Sequence, residues 1–327
     1  MISLWDTTGK EVLKALAAER RSAGGVASGM ALSLIVVVDE QRVNEAEAAA
    51  TIASAAHPFR LLMVVRSDID RDRDRLDAEV VVGGRLGPGE AVVMRMYGRL
   101  ALHAESVVMP LLVSDVPVVT WWHGEPPERI ANDRLGVIAD RRITDCAQAP
   151  HPIEALRRRA YDYAPGDTDL AWTRATPWRS LVAGALDTAT GRVTGATVVA
   201  PKNEPTAALV VGWLTARLGI TPRWEESDTP RIRSVELRCV DGNRVLVTRE
   251  DGTATLQQAG HPDRHLPLVR RPLGEELAEE LRRLDADQTY AEALGTVMNV
   301  PDLAARSPHR THIWRDPTAS LPGPAQA

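Results

Sequence analysis

Two spacings of apolar residues alternate along the chain. Thr8, with Glu11 three positions later, has the pattern of a capping box, and Val12, Leu13, Leu16 and Ala17 follow at helical spacing, so a helix is predicted over about 9–21 before Gly24 and Gly25 interrupt it. The β-branched run 32–38 predicts a buried strand, the Ala/Glu-rich stretch 44–56 a helix and 60–65 a second strand, together one βαβ unit. From Ser67 to Glu79 Asp and Arg alternate without an apolar face, which predicts a solvated loop. Short apolar runs at 79–82 and 91–96 flank Gly83, Gly84, Gly87 and Gly89, as in a hairpin or a bulged connection.

Tyr97, Leu100, Ala101, Ala104, Val107, Val108 and Leu111 fall on one face of a helix that Pro110 and Pro117 end. The segment 116–122 then reads as a strand and completes a second crossover. Apolar periodicity fades between Arg141 and Asp169, which sets a domain boundary near Pro165. Beyond it the pattern predicts a helix over 178–186, a strand at 196–200 and a helix from an Asn203 cap to Gly219. Alternation at 234–239, with Asp-Gly pairs at 241–242 and 251–252 around 245–248, predicts an antiparallel meander. A last amphipathic helix is expected over 275–284.

The expected fold class is therefore α/β in two domains. Residues 1–165 form an N-terminal α/β sandwich with a mostly parallel sheet, and 166–316 form a C-terminal α+β domain carrying the meander. The Pro, Ala, Gly and Gln stretch 317–327 reads as a disordered tail. Apolar residues at 44% of 327 supply two cores.

Charge narrows the possible partners. The net charge is −5, and although 36 of the 39 cationic side chains are Arg, no segment gathers unopposed positive charge, so nucleic acid is not expected. The longest apolar stretch, Met30 to Val38, is far shorter than the roughly 18–20 residues of a membrane span, and the N-terminus carries Asp6, Glu11 and Glu19. A cytoplasmic location is the expectation. Cys146 and Cys239 are the only cysteines, too few for a disulfide framework or a zinc knuckle, and read as reduced structural thiols.

Catalytic patterns are missing. The glycines at 83–89 lack the Lys-Ser/Thr of a phosphate loop. His57, His103 and His123 have no second ligand at metal spacing, no G-x-S-x-G elbow occurs, and neither a metal nor a cofactor is expected. Lys202 and Asn203 lie at a strand-to-helix turn where an anion site is conceivable, beside the alternative of an ordinary capped helix.

The tryptophans are what stands out, supplying eight of the 13 aromatics. Trp121 and Trp122 end a strand on opposite faces, so one can fill the core while the other faces a groove or a partner. Trp172, Arg174, Trp178 and Arg179 interleave beside the domain junction, a composition shared by binding hot spots and by domain packing.

These segments carry a resemblance. YGRLALHAESVVMPLLVSDVPVVTWWHGEPP at 97–127, DTDLAWTRATPWR at 167–179 and VVGWLTARLG at 210–219 are similar to the OpcA family, the glucose-6-phosphate dehydrogenase assembly or effector proteins of actinobacteria and cyanobacteria. The resemblance implies a non-enzymatic subunit that binds glucose-6-phosphate dehydrogenase, promotes its active oligomer and raises its activity, feeding NADPH supply through the pentose phosphate pathway as an allosteric activator. Trp121, Trp122, Trp172, Arg174, Trp178 and Arg179 are the residues expected to contribute to partner binding, as anchors or as the scaffold that orients them. Cyanobacterial relatives are similar to thiol-switched effectors, a property that two cysteines do not suggest here. The alternative is a sugar-phosphate-binding enzyme or sensor acting on its own through the Lys202 turn and His123.

Overall fold

The computed structural model describes residues 1–23, 29–83, 89–187 and 191–308. The glycines at 24–25, the centre of the 83–89 loop and the 317–327 tail lie outside the described residues.

One sheet has eight strands: β1 (Ile2–Leu4), β2 (Leu32–Val38), β3 (Phe59–Arg66), β4 (Arg75–Val82), β5 (Glu90–Tyr97), β6 (Val118–His123), β7 (Arg141–Thr144) and β8 (Asp167–Asp169). Their spatial order is β1-β4-β5-β3-β2-β6-β7-β8. From β5 to β8 every neighbouring pair is parallel, whereas β4 and β1 are antiparallel additions at one edge. Numbered by appearance, the six parallel strands run 3-2-1-4-5-6, the order of a doubly wound dinucleotide-binding sheet. Every residue of β2 and β6 is buried, as central strands covered on both faces require.

Helices α1 (Gly9–Ser22), α2 (Val43–Ser54), α3 (Glu105–Val108), α4 (Arg134–Val137) and α5 (Pro152–Asp162) follow in chain order. Next come α6 (Leu170–Leu186), α7 (Pro205–Leu218), α8 (Leu273–Leu281) and α9 (Gln288–Met298). One face of the large sheet packs Ile35, Val37, Leu62, Val64 and Trp122 against Val12 and Leu16 of α1. The other packs Leu34, Val36, Leu61, Met63 and Trp121 against Ala46, Ala49 and Ala50 of α2 and Leu277 and Leu281 of α8.

The second sheet, of β9 (Val193–Ala200), β10 (Arg223–Glu226), β11 (Ser234–Cys239), β12 (Arg244–Glu250), β13 (Thr253–Gln258) and β14 (Arg264–Pro267), has the order β10-β9-β11-β12-β13-β14. It is antiparallel throughout except for the β9–β10 pair, so the predicted meander is present. Its core takes Trp172, Trp178 and Val182 from α6, Leu209, Val210 and Leu214 from α7, and Tyr290 and Leu294 from α9. Leu156 and Ala160 of α5 pack here too, although α5 precedes β8 in the chain, and α8 returns from beyond the second sheet to cover the first.

Several sequence expectations need correction. The helix predicted from Tyr97 is broken into a 3-10 turn at Gly98–Leu102, the single turn α3 and a second 3-10 turn at Met109–Leu111. The apolar face is right, with Ala101, Ala104, Val107, Val108 and Leu111 buried, but continuous helix is not. Gly98 sits at a φ of +64°, where a side chain would press on the Arg71 carbonyl, and Pro110 removes a helical donor. The charged run from Ser67 becomes strand β4 at Arg75, with Leu76, Ala78 and Val80 facing inward. The stretch 141–169 holds β7, α5 and β8. Helix α6 begins eight residues before Trp178, and α9 follows the helix expected to be last.

Candidate functional site

In a doubly wound sheet ligands bind at the carboxyl ends of the strands where the order reverses, here between β2 and β6. A dinucleotide needs a glycine-rich turn and a bare helix N-terminus at that point. After Val38 this chain instead has Asp39-Glu40-Gln41-Arg42, in which the Asp39 carboxylate accepts from Arg42 N at 3.1 Å. Glu45, in the first turn of α2, accepts from His123 Nε2 at 3.0 Å. His123 is buried at the end of β6, its ring 4.7 Å from that of Trp121. Burial lowers its pKa, with the Glu45 carboxylate acting in the opposite direction. The turn after Val38 contains no glycine, and Glu45 in the first turn of α2 is bonded to His123, so the crevice lacks the glycine-rich turn that a pyrophosphate needs.

The junction between the sheets is built around α6. Its N-cap Asp169 is fully buried and accepts from Ala171 N at 2.9 Å, Cys146 N at 2.9 Å and Thr144 Oγ1 at 2.7 Å. Burial, with Asp169 beside it, pushes the Cys146 thiol well above its usual range. The next turn carries the polar clamp. Arg174 donates through both terminal nitrogens to Asp145, at 2.6 and 2.7 Å, and through Nε and Nη2 to Glu276 of α8, at 2.9 and 2.7 Å. Burial disfavours its charge, but the two carboxylates outweigh that and raise its pKa. Thr173 donates to Glu280 at 2.5 Å, and Glu280 also accepts from Arg141 of β7 at 2.5 Å. These bonds tie β7, α6 and α8 together across the two cores.

Trp172 donates through Nε1 to Asp287 at 2.8 Å, and the Arg179 guanidinium stacks 3.5 Å from its ring centroid. Burial brings the Arg179 pKa down to about 10. Trp178 and Arg174 line a cleft of 300 Å³ that opens beside α6.

The structure thus gathers Trp172, Arg174, Trp178 and Arg179 into one place, with Trp121 and Trp122 on opposite faces of β6 as the alternation predicts. All four of these indoles are at most 3% exposed, so their side chains are core rather than surface anchors. Lys202 is exposed and lies 3.8 Å from Glu226. The cap of α7 is Glu204, which accepts from Thr206 N at 3.0 Å, and not Asn203. Sequence reasoning missed Asp145, Glu276, Glu280 and Asp287. Their partners are 29 to 115 positions away, so no local spacing marks them.

Comparison with known families covers most of the chain. Residues 50–161 match the model described as the glucose-6-phosphate dehydrogenase subunit N-terminal domain, and 165–294 match its C-terminal domain. The chain belongs to the OpcA family. A Synechocystis protein described as an OxPP cycle protein OpcA is 29% identical over 125 residues, which is 36% of this OpcA-family chain and 26% of the relative. The match thus spans about a quarter of that relative's length. Among solved structures, KijD10, a 3-ketoreductase from Actinomadura kijaniata, aligns with a TM-score of 0.44 at 12% identity, over 82% of this chain and 94% of its own. The dehydrogenase MviM from Clostridium difficile aligns with 0.44 at 7% identity, over 82% and 97%. Scores below 0.5 make these likenesses too distant to speak for an activity. No helix among the described residues is long and apolar enough to cross a membrane.

Proposed function

We propose that this OpcA-family chain is a non-catalytic subunit that binds glucose-6-phosphate dehydrogenase, promotes its active oligomer and raises its activity, and so supplies NADPH in the oxidative pentose phosphate pathway. The observation that carries the reading is the match of both halves to models described as domains of a subunit of that enzyme. The turn at the strand switch point supports it, because it is without the glycines by which a dehydrogenase of this sheet order would hold a dinucleotide there. Activation then works by linkage. If the chain binds the competent state of the dehydrogenase more tightly by about 1–3 kcal/mol, it shifts that state's population by roughly 5–150-fold.

In this reading Trp121, Trp122, Trp172, Arg174, Trp178 and Arg179 act as the scaffold of the docking surface, since the indoles are buried. The test is a steady-state assay of purified dehydrogenase over a substrate titration, with and without the chain, alongside size-exclusion chromatography of the mixture. A lower KM or higher kcat together with co-elution is expected. Unchanged kinetics and separate elution would refute the reading. Turnover by the chain alone would point to the sugar-phosphate enzyme instead.

A further inference from the structure

The cleft beside α6 is walled by α6, α8, the first turn of α7, the end of β12 and the segment after β14. Five arginines line it, Arg174, Arg231, Arg249, Arg270 and Arg271, against two carboxylates, Glu204 and Glu276. Most of this charge is not spent within the fold. Glu276 is taken by Arg174, and Arg271 lies 3.8 Å from Glu279. Among the described residues no hydrogen bond or ion pair reaches the guanidinium of Arg231, Arg249 or Arg270, which leaves three guanidinium charges facing one carboxylate, Glu204.

The three cations are close enough to work against one another. Burial lowers the pKa of Arg231, and the next cause is Arg270; burial lowers that of Arg249, and the next cause is Arg231. Glu204 acts in the other direction on both. A chain that pairs Arg174 twice over holds these three together at a cost in stability, which is the mark of groups arranged for something that arrives later.

We propose that this cleft is a binding site for a small phosphate monoester. Three guanidinium groups against the Glu204 carboxylate give the cleft an excess of positive charge, which suits a monoester that is a dianion above its second pKa of about 6. Planar guanidinium forks match phosphate oxygens two at a time. The 14-residue helix α7 begins at the same cleft, through Glu204 and Thr206, so its N-terminal dipole adds to the positive potential. Trp178, Ile232 and Leu268 supply an apolar wall for the organic part of the ligand. The 300 Å³ volume sits at the small end of ligand pockets, about 300–1,000 Å³, and suits a metabolite better than a peptide. The proposal does not rest on the dehydrogenase reading.

Calorimetric titration of the full chain without any dehydrogenase, first with inorganic phosphate and then with a hexose 6-phosphate, tests it. Saturable binding is expected, tighter for the ester, weakened by salt, and reduced by at least about tenfold in the double variant Arg231→Gln/Arg249→Gln. Lys14→Ala, on the exposed face of α1 against the other sheet, should bind as the parent chain does. Thermal melting separates lost binding from lost folding. The double variant removes repelling charges, so its melting temperature should equal or exceed the parent's, while phosphate should raise the melting temperature of the parent alone. If the double variant melts early, Arg270→Gln at the exposed rim carries the same titration. No saturable heat from either probe at millimolar concentration would overturn the proposal, as would equal affinity in the variants. Tighter binding of an acidic peptide than of the ester would reassign the cleft to a partner's carboxylates and also overturn it.

Discussion

Replacing Arg174 by Met would strip a cation from two buried carboxylates. The Asp145 and Glu276 side chains are each 3% exposed, and four of the Arg174 bonds to them are between 2.6 and 2.9 Å. An exposed ion pair is worth about 0–1 kcal/mol, but taking one partner from a buried pair costs about 3–5 kcal/mol because the remaining charge has neither water nor a counter-ion. Methionine keeps most of the aliphatic stem, so little of the loss should come from a cavity. At about 2–4 °C per kcal/mol for a cooperative unit of 150–250 residues, the melting temperature should fall by about 6–20 °C, read by calorimetry and checked by urea unfolding. The control neutralises the orphans. Arg174→Met combined with Asp145→Asn and Glu276→Gln should regain most of the loss, since removing every member of a buried ionic cluster is often close to neutral. A single variant within about 1 kcal/mol of the parent, or a triple variant no better than the single, would refute the clamp as the tie between β7, α6 and α8.

Three further outcomes follow from the same geometry. Gly212→Ala places a methyl group on the Ala293 carbonyl where α7 crosses α9, so the variant should unfold at markedly lower urea than the parent, and equal midpoints would mean the helices can part freely. Because burial lowers the His123 pKa, the unfolded chain binds the proton first, and stability should fall as pH drops below about 6.5; His123→Gln should flatten that slope in urea titrations at several pH values, and an unchanged slope would place the titration elsewhere. Cys146 and Cys239 are buried free thiols with raised pKa values, so a thiol reagent at neutral pH should label neither quickly in the native chain and both in denaturant; fast native labelling would reopen the possibility of a redox switch.

The central βαβ unit, the meander and the capping box at Thr8 were legible because each is dictated by residues within a dozen positions of one another. The broken helix after Tyr97 was not, because periodicity reports which face is buried and not whether the backbone stays helical between buried positions. Helix α6 starts eight residues before the predicted Trp178, because Asp169 caps it and the interior Pro177 is tolerated among packed neighbours. The role of the tryptophans stayed open in the sequence for a related reason. A Trp–Arg composition is the same for a hot spot and for a packed junction, and only placement separates them. Arg231, Arg249 and Arg270 carried no signal in a chain with 36 arginines, since their meeting depends on how β12 and the segment after β14 fold back toward α6.

The arginines of this chain therefore divide by what their donors meet. Arg60 meets Glu90, Arg142 meets Asp167 and the Pro165 carbonyl, and Arg174 meets Asp145 and Glu276; each is buried or nearly so, and each satisfies partners that would otherwise be stranded. Those contacts account for the residues as structure, and losing any of them should be felt first in stability. Arg179 is intermediate, with an aromatic face and a hydroxyl in place of a carboxylate. Arg231, Arg249 and Arg270 lie at the far end, since folding brings them together in one cleft without a carboxylate bonded to any of their guanidinium groups. For such a group the stability of the unliganded chain should rise when it is neutralised and its binding should fall. The opposite signs of those two changes separate an arginine kept for a ligand from one kept for the fold.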